Sequence, residues 1–141
     1  MLGNLSNEDL IKQLYMLYDD APFFVCYKSP ALSIYYANQM MRNYVGSRTL
    51  EHIEGKSDYD FCWERFADLY TAHEKDAINK NIYTALFPVC DHEGENALAT
   101  CNRMPIISSE NQVLGILSHS HFLKKPFCIR VRKYALRAQV T

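Results

Sequence analysis

Two histidines, His119 and His121, flank Ser120 in a stretch that alternates like a strand. Residues two apart on a strand face the same way, so both imidazoles would share one side. With Cys101 on the preceding strand they would offer three ligands to a zinc-like ion. The same Cys101, paired with His119, poses a nucleophile and its base. Asp58 and Asp60 are carboxylates of the kind a hard cation takes, and they equally suit a turn and a helix start, where negative charge is favoured. His73 closes the apolar stripe of a helix, where a neutral imidazole is a good donor. Against each stands a plainer role: surface histidines, capping carboxylates, a stripe-end histidine near water. No oxyanion-forming glycine motif accompanies them, and an enzyme needs such convergent groups. The five cysteines, Cys26, Cys62, Cys90, Cys101 and Cys128, include no C-x-x-C pair, so they are expected as reduced thiols packed like small apolar side chains.

The elements that must position these groups are legible from periodicity. Ser6 starts a helix, with a hydroxyl at the cap and the carboxylate of Asp9 three residues on. Leu10, Leu14 and Leu17 form its stripe, and Pro22 stops it near Asp19-Asp20. Phe23 to Tyr27 and Leu32 to Ala37 read as a strand hairpin turning at Lys28-Ser29-Pro30. Asn38 stands where strand gives way to helix and caps Gln39 to Tyr44; Gly46 ends that helix. The long central stretch, Ile53 to Asn79, turns at Gly55-Lys56-Ser57. It continues into a helix with Phe66, Tyr70, His73 and Ala77 on one face. Three strands follow: Ile82 to Val89, Ala97 to Ile107 and Val113 to Phe122. Pro88 suits a strand end, and Pro105 an edge or bulge. Five strands with a helical cluster after the second make an α+β domain.

Three segments in order carry a resemblance. Gly55-Lys56-Ser57-Asp58-Tyr59-Asp60-Phe61 with the following helix, Ile34-Tyr35-Tyr36-Ala37-Asn38 upstream, and Asn111-Gln112-Val113-Leu114-Gly115-Ile116 downstream resemble a PAS domain. The subfamily is the one with a Gly-Lys-Thr-Asp-x-Asp-Leu type of turn; Gln112 stands where glycine is commoner. The resemblance covers roughly residues 22 to 122. It implies a five-stranded antiparallel sheet in the order 2-1-5-4-3, with helices over one face enclosing a small cavity, and a leading helix on the flank. It implies a sensory or protein-interaction module in signalling or transcriptional regulation, not an enzyme. The ligand-binding residues implied are Tyr36, Phe61, Phe66, Tyr70, His73, Asn102, Leu117 and His119. Leu117 holds the ligand-facing position two after the last-strand glycine, and His119 would share its side. In haem-binding members a histidine on the long helix ligates the iron, which makes His73 the alternative haem ligand. A flavin is not expected, because Asp58 stands where the photosensor subfamily places its reactive cysteine. The competing class, a small NTF2-like enzyme with a cone-shaped pocket, fits the strand order less well.

Composition bounds the rest. The 141 residues, 48% apolar and 22% charged, suit one globular domain. No apolar run approaches a membrane span of roughly 18 residues, and the first residues lack a secretory signal's pattern, so a cytoplasmic, membrane-free protein is expected. All 16 acidic residues lie at or before Glu110, and six basic residues follow it without an acid. The chain therefore divides into a flanking helix (1–21), the domain (22–122) and a basic tail or linker (123–141). No helix-turn-helix or aromatic-interleaved basic pattern is present, so the domain is not expected to bind nucleic acid directly. The expected partners are a small molecule, a second copy paired through the leading helix, and an output domain or protein not visible here.

Overall fold

The computed structural model describes residues 6–46, 49–79, 83–90 and 94–123, with Tyr83 described by its backbone alone. The basic tail beyond Leu123, Cys128 within it, and Ile82 lie outside the described residues. The order is α1 (Asn7–Tyr18), β1 (Phe24–Lys28), β2 (Ile34–Ala37), α2 (Gln39–Tyr44), three short 3-10 turns, α3 (Ala67–Ile78), β3 (Tyr83–Cys90), β4 (Asn96–Ile107) and β5 (Val113–Phe122). The strands form one antiparallel sheet in the order β2-β1-β5-β4-β3. This is the α+β architecture expected from the sequence. β2 starts at Ile34 rather than Leu32, because Leu32 adopts a positive φ of 70° within the turn after Lys28.

Local chemistry explains the element ends. Ser6 Oγ accepts from the Asp9 amide at 3.2 Å and caps α1. Asn38 is fully buried and saturated. Its Oδ1 accepts from the amides of Met41 and Val25, and its Nδ2 donates to the carbonyls of Tyr18 and Phe23. One side chain thus ties the start of α2 to β1 and to the end of α1. β3 lies at a sheet edge, which tolerates Pro88. Pro105 lies two residues beyond the described β3 pairing, with a register shift just after it, at Ile106/Ile107.

Both sheet faces are covered, so strand residues alternate between two cores. The inner core packs Cys26, Ile34, Trp63, Tyr70, Phe87 and Cys101 under α2, the 3-10 turns and α3. The outer core joins Val25, Tyr27, Tyr36 and Leu117 to Leu14 of α1. Gly115 keys β5 to β1: a Cβ there would meet the Lys28 carbonyl oxygen and the Tyr27 ring, each at 2.5 Å. Since Tyr27 belongs to the outer core, this contact fixes the phase of β5.

Candidate functional site

A cavity of about 100 Å³ lies between the inner sheet face and the helices. Much of its lining is aromatic, from Phe24, Tyr44, Trp63, Tyr70, Phe87 and Phe122. Trp63 stacks on Phe61 at 4.7 Å between ring centroids and on Tyr44 at 5.9 Å. Tyr70 stands edge-on to Phe87 at 5.8 Å. The hydroxyls of Tyr44 and Tyr70 donate to the backbone carbonyls of Cys90 and Pro88, which anchors both rings to the edge strand.

The lining is also charged and polar: Lys28, Asp58, Arg103, Ser118 and Ser120 contribute to it, and the Arg103 guanidinium lies over the Phe87 and Tyr70 rings at 5.3 and 5.7 Å. Lys28 is the last residue of β1 and alternates with Cys26, so strand geometry alone turns its ammonium inward. Its Nζ donates to Asp58 Oδ2 at 2.6 Å and to Glu74 Oε1 at 2.7 Å. Arg103, which alternates with Cys101 on β4, donates from Nη1 to the same Glu74 oxygen at 3.1 Å and to Ser118 Oγ at 3.2 Å. Trp63 Nε1 donates to the second Asp58 oxygen at 2.9 Å. Two cations and two carboxylates are thus buried together, each no more than 7% exposed. Buried charges persist only where they are paired and hydrogen-bonded.

The four groups are not equivalent. Burial pushes the Glu74 carboxyl up, and the pull of Lys28 and Arg103 does not fully offset it. Burial acts the same way on Asp58, but the Lys28 ammonium and the Lys28 and Trp63 hydrogen bonds overcome it, and its carboxyl lies below the ordinary range. Burial opposes the charge on Lys28, yet the two carboxylates hold its ammonium above the usual value. Burial also pushes the nearby Cys26 thiol up to about 12, so this cysteine is not a nucleophile near neutral pH.

The structure distributes the eight expected ligand residues widely. Tyr70 lines the cavity. Phe61 and Phe66 pack behind its wall, against the inner core. His73 stands edge-on to Phe87 at 4.2 Å and does not line the cavity. Tyr36, Asn102, Leu117 and His119 are on the opposite face: Tyr36 and Leu117 belong to the outer core, and Asn102 pairs with His119 across β4 and β5. His119 packs against Tyr18 of α1 and against Phe23. The expectation that Leu117 and His119 share the cavity side is therefore corrected. Gly115 faces Tyr27, so its i+2 and i+4 neighbours face α1, and Ser118 and Ser120 face the cavity.

That alternation also separates the candidate chemistries. Cys101 accepts a hydrogen bond from Ser120 Oγ at 3.3 Å on the inner side, whereas His119 is outside. The sheet thus lies between nucleophile and base, and between Cys101 and the histidines considered with it as zinc ligands. Among the described residues no group of three or more His, Cys, Asp or Glu could hold a metal ion. The expected capping pair divides as well. Asp60 completes a capping box with Ser57, as anticipated, while Asp58 turns into the cavity. His73, the alternative haem ligand, does not line the cavity.

Sequence reasoning missed Lys28, Glu74 and Arg103. A signal was present, since each stands at a core phase of its element. Glu74 follows Tyr70 by four and precedes Ala77 by three, and the buried face of α3 is Ala67, Tyr70, Glu74 and Ala77.

No protein-family model and no curated protein matches the chain. Solved structures do. A phage VqmA in complex with DPO superimposes with a TM-score of 0.71 at 21% identity, covering 94% of this chain and 61% of that one. The Vibrio cholera VqmA–ligand–DNA complex gives 0.68 at 17% identity over 84% of this chain and 52% of that one. The PAS domain of a Colwellia psychrerythraea protein gives 0.65 at 17% identity, covering 83% of this chain and 99% of that one. The fold is the PAS fold. The chain spans little more than half the length of the VqmA structures and matches the isolated PAS domain almost end to end.

Proposed function

We propose that the chain is a sensory module whose inner cavity takes a small ligand and whose flanking segments report its occupancy. The observation that carries this reading is the cavity itself, a pocket of about 100 Å³ open on one side, whose lining combines aromatic rings with buried charges. Ordinary cores leave few voids larger than a water, and ligand sites combine apolar walls with a few placed polar groups. The VqmA structures, one a complex with ligand and DNA and one a complex with DPO, support a role in transcriptional regulation in which this domain senses and another segment or partner acts.

A physical route connects the cavity to α1. Met41 and Tyr44 of α2 line the cavity. Between them Arg42 donates from Nη1 to Asp19 Oδ1 at 2.8 Å and from Nη2 to Asp19 Oδ2 at 3.2 Å, at the end of α1. Tyr36 donates to the same carboxylate at 3.0 Å. A ligand that moves α2 therefore moves the anchor of α1, and it shifts the equilibrium by its differential affinity for the two arrangements. The outer-face set, Tyr36, Asn102, Leu117 and His119, belongs to the seat of α1 in this reading. Leu14 is turned onto the sheet, while Met16 and Leu17 are 86% and 70% exposed; these two would form the contact with a second copy. Residues 1–21 would be the flanking segment, 22–122 the sensor and 123–141 the linker to an output, in a cytoplasmic setting.

Hydrogen exchange with and without a bound single-ring ligand tests the route. Ligand-induced change in protection of α1 that is lost in Arg42→Met supports it; change confined to the cavity wall rejects it. Sedimentation of Leu17→Glu tests the pairing: a wild-type dimer becoming a monomer supports it, and an unchanged state removes it.

A further inference from the structure

Resting on the cavity reading above, we propose that the site is built for a compact single-ring anion, such as a small aromatic carboxylate, and that its entry is coupled to uptake of one proton by Glu74.

The wall and the layer behind it differ in charge. Lys28, Arg103 and Asp58 line the cavity, and Glu74 stands behind them. A ligand therefore meets two cations and one carboxylate, a wall that is positive on balance. The spare hydrogen-bonding capacity matches an anion too. Both Asp58 oxygens are occupied, by Lys28 and by Trp63. Arg103, only 7% exposed, retains a buried Nε–H with no partner among the described residues. Ser118 offers its hydroxyl beside it. A guanidinium edge and a hydroxyl suit a ligand oxyanion, and the aromatic side chains of the lining suit a ring. At about 100 Å³ the pocket is smaller than an enclosed site for benzene, but it is open on one side, so a single ring would seat partly at its mouth.

Charge balance then assigns the proton. With both carboxylates ionised the cluster of four is neutral, so an entering anion leaves it one negative charge in excess, which burial penalises. The remedy nearest to hand is a proton from solvent on one carboxylate. Asp58 has no free oxygen and is held ionised by Lys28. Glu74 carries both of its cation contacts on Oε1, and its Oε2 is buried with no hydrogen-bond partner among the described residues. Burial already favours its neutral form. The groups that face it are Lys28 and Cys26 from β1, Asp58 from the 3-10 turn, and Arg103 and Cys101 from β4, with Tyr70 and His73 on its own helix; β5 contributes Ser118. His73 is also neutral near pH 7, but it does not line the cavity, and burial and Arg103 hold its imidazole below the ordinary value. The Cys26 thiol stays protonated to about 12, which leaves the two carboxylates as the acceptors nearest the ligand. No bond other than the O–H at Oε2 forms or breaks.

The test is titration calorimetry of the full chain with 2-furoate and benzoate, against 2-furamide and benzamide, in buffers of different ionisation heat between pH 6 and pH 8. The acids are expected to bind at least about tenfold tighter than the amides. Uptake is expected to approach one proton per anion at the upper end of the range. Affinity should fall by up to about tenfold per pH unit there, as one coupled proton requires. Glu74→Gln, which keeps a hydrogen-bonding group in place, is expected to abolish the uptake and flatten the pH dependence. Amides that bind as well as the acids, anion binding without proton uptake, or uptake that survives in a folded Glu74→Gln chain would each overturn the proposal. If only amides bind, the cavity reading stands and the anion assignment falls. If neither acids nor amides bind, the cavity reading falls with it.

Discussion

The two faces of one sheet solve the burial problem in opposite ways. Under α1 the outer face is closed with Leu14, Val25, Tyr27, Tyr36 and Leu117, and the Tyr36 hydroxyl reaches Asp19. Under α2 and α3 the inner face holds four buried charges around a pocket. The strands are shared, so neighbouring residues serve both designs: Tyr27 belongs to the first and Lys28 to the second. The α1 side carries the single pair Arg42–Asp19, whereas four charges meet around the pocket. Well-packed apolar residues stabilise as well as buried ions or better, so this clustering agrees with the recognition role proposed for the inner face.

The largest expected effect breaks the inner face. Lys28→Met leaves Asp58 and Glu74 facing each other without their shared ammonium, and should cost about 3–5 kcal/mol in urea unfolding at pH 7. A cost no greater than that of an ordinary surface substitution would mean that the cluster is hydrated and not a buried network. Next, Leu14→Ala on the outer face should cost about 2–4 kcal/mol while leaving the affinity for a cavity ligand unchanged. Loss of binding in that variant would erase the distinction between the faces. Gly115→Ala drives a methyl into the Lys28 carbonyl and the Tyr27 ring. It should destabilise by about 1–3 kcal/mol, and it alone of these three should perturb both faces together, read as chemical-shift changes in Tyr27 and Lys28.

The smallest effect separates the faces by pH. Burial, with His121 adding to it, lowers the pKa of His119, so protonation favours the unfolded chain. Its stabilising contribution is complete above the ordinary value near 6.5 and is lost as pH falls through it. Burial, with Arg103 adding to it, lowers His73 in the same sense. His119→Phe should therefore remove part, not all, of the stability lost between pH 7 and pH 5. Asp58 acts in a lower window. Its depressed pKa stabilises above the ordinary carboxyl range, and that stability is lost as pH falls below about 4. Asp58→Asn should flatten only this lower limb. One common midpoint for both variants would show that the two faces do not titrate independently.

Much of the fold was legible because its signals are local. Ser6 and Asn38 at helix starts, Pro22 after α1, alternation in β4 and β5 and the Gly-Lys-Ser-Asp turn each act within a few residues. The site was far less legible. The resemblance puts Phe61, Phe66 and Tyr70 near the cavity, where the structure has them in or behind its wall, but it puts the strand residues on the wrong side. Periodicity says which residues share a face and not which face is inward when both are buried. Lys28, Glu74 and Arg103 were passed over because a single charged residue in a sequence reads as solvent-exposed. Only their coincidence at core phases of three different elements marks them.

The sequence by itself determined the element order, the caps and the α+β class, since these follow from spacing and local hydrogen bonding. The tertiary structure decided which face of the sheet holds the cavity, through the contact of Gly115 with Tyr27. It also decided that Asp58, Glu74, Lys28 and Arg103 meet. Residues 28, 58, 74 and 103 are far apart in the chain, and electrostatic pairing acts through distance in space. Only folding brings those charges within hydrogen-bonding reach and removes the water that would otherwise separate them.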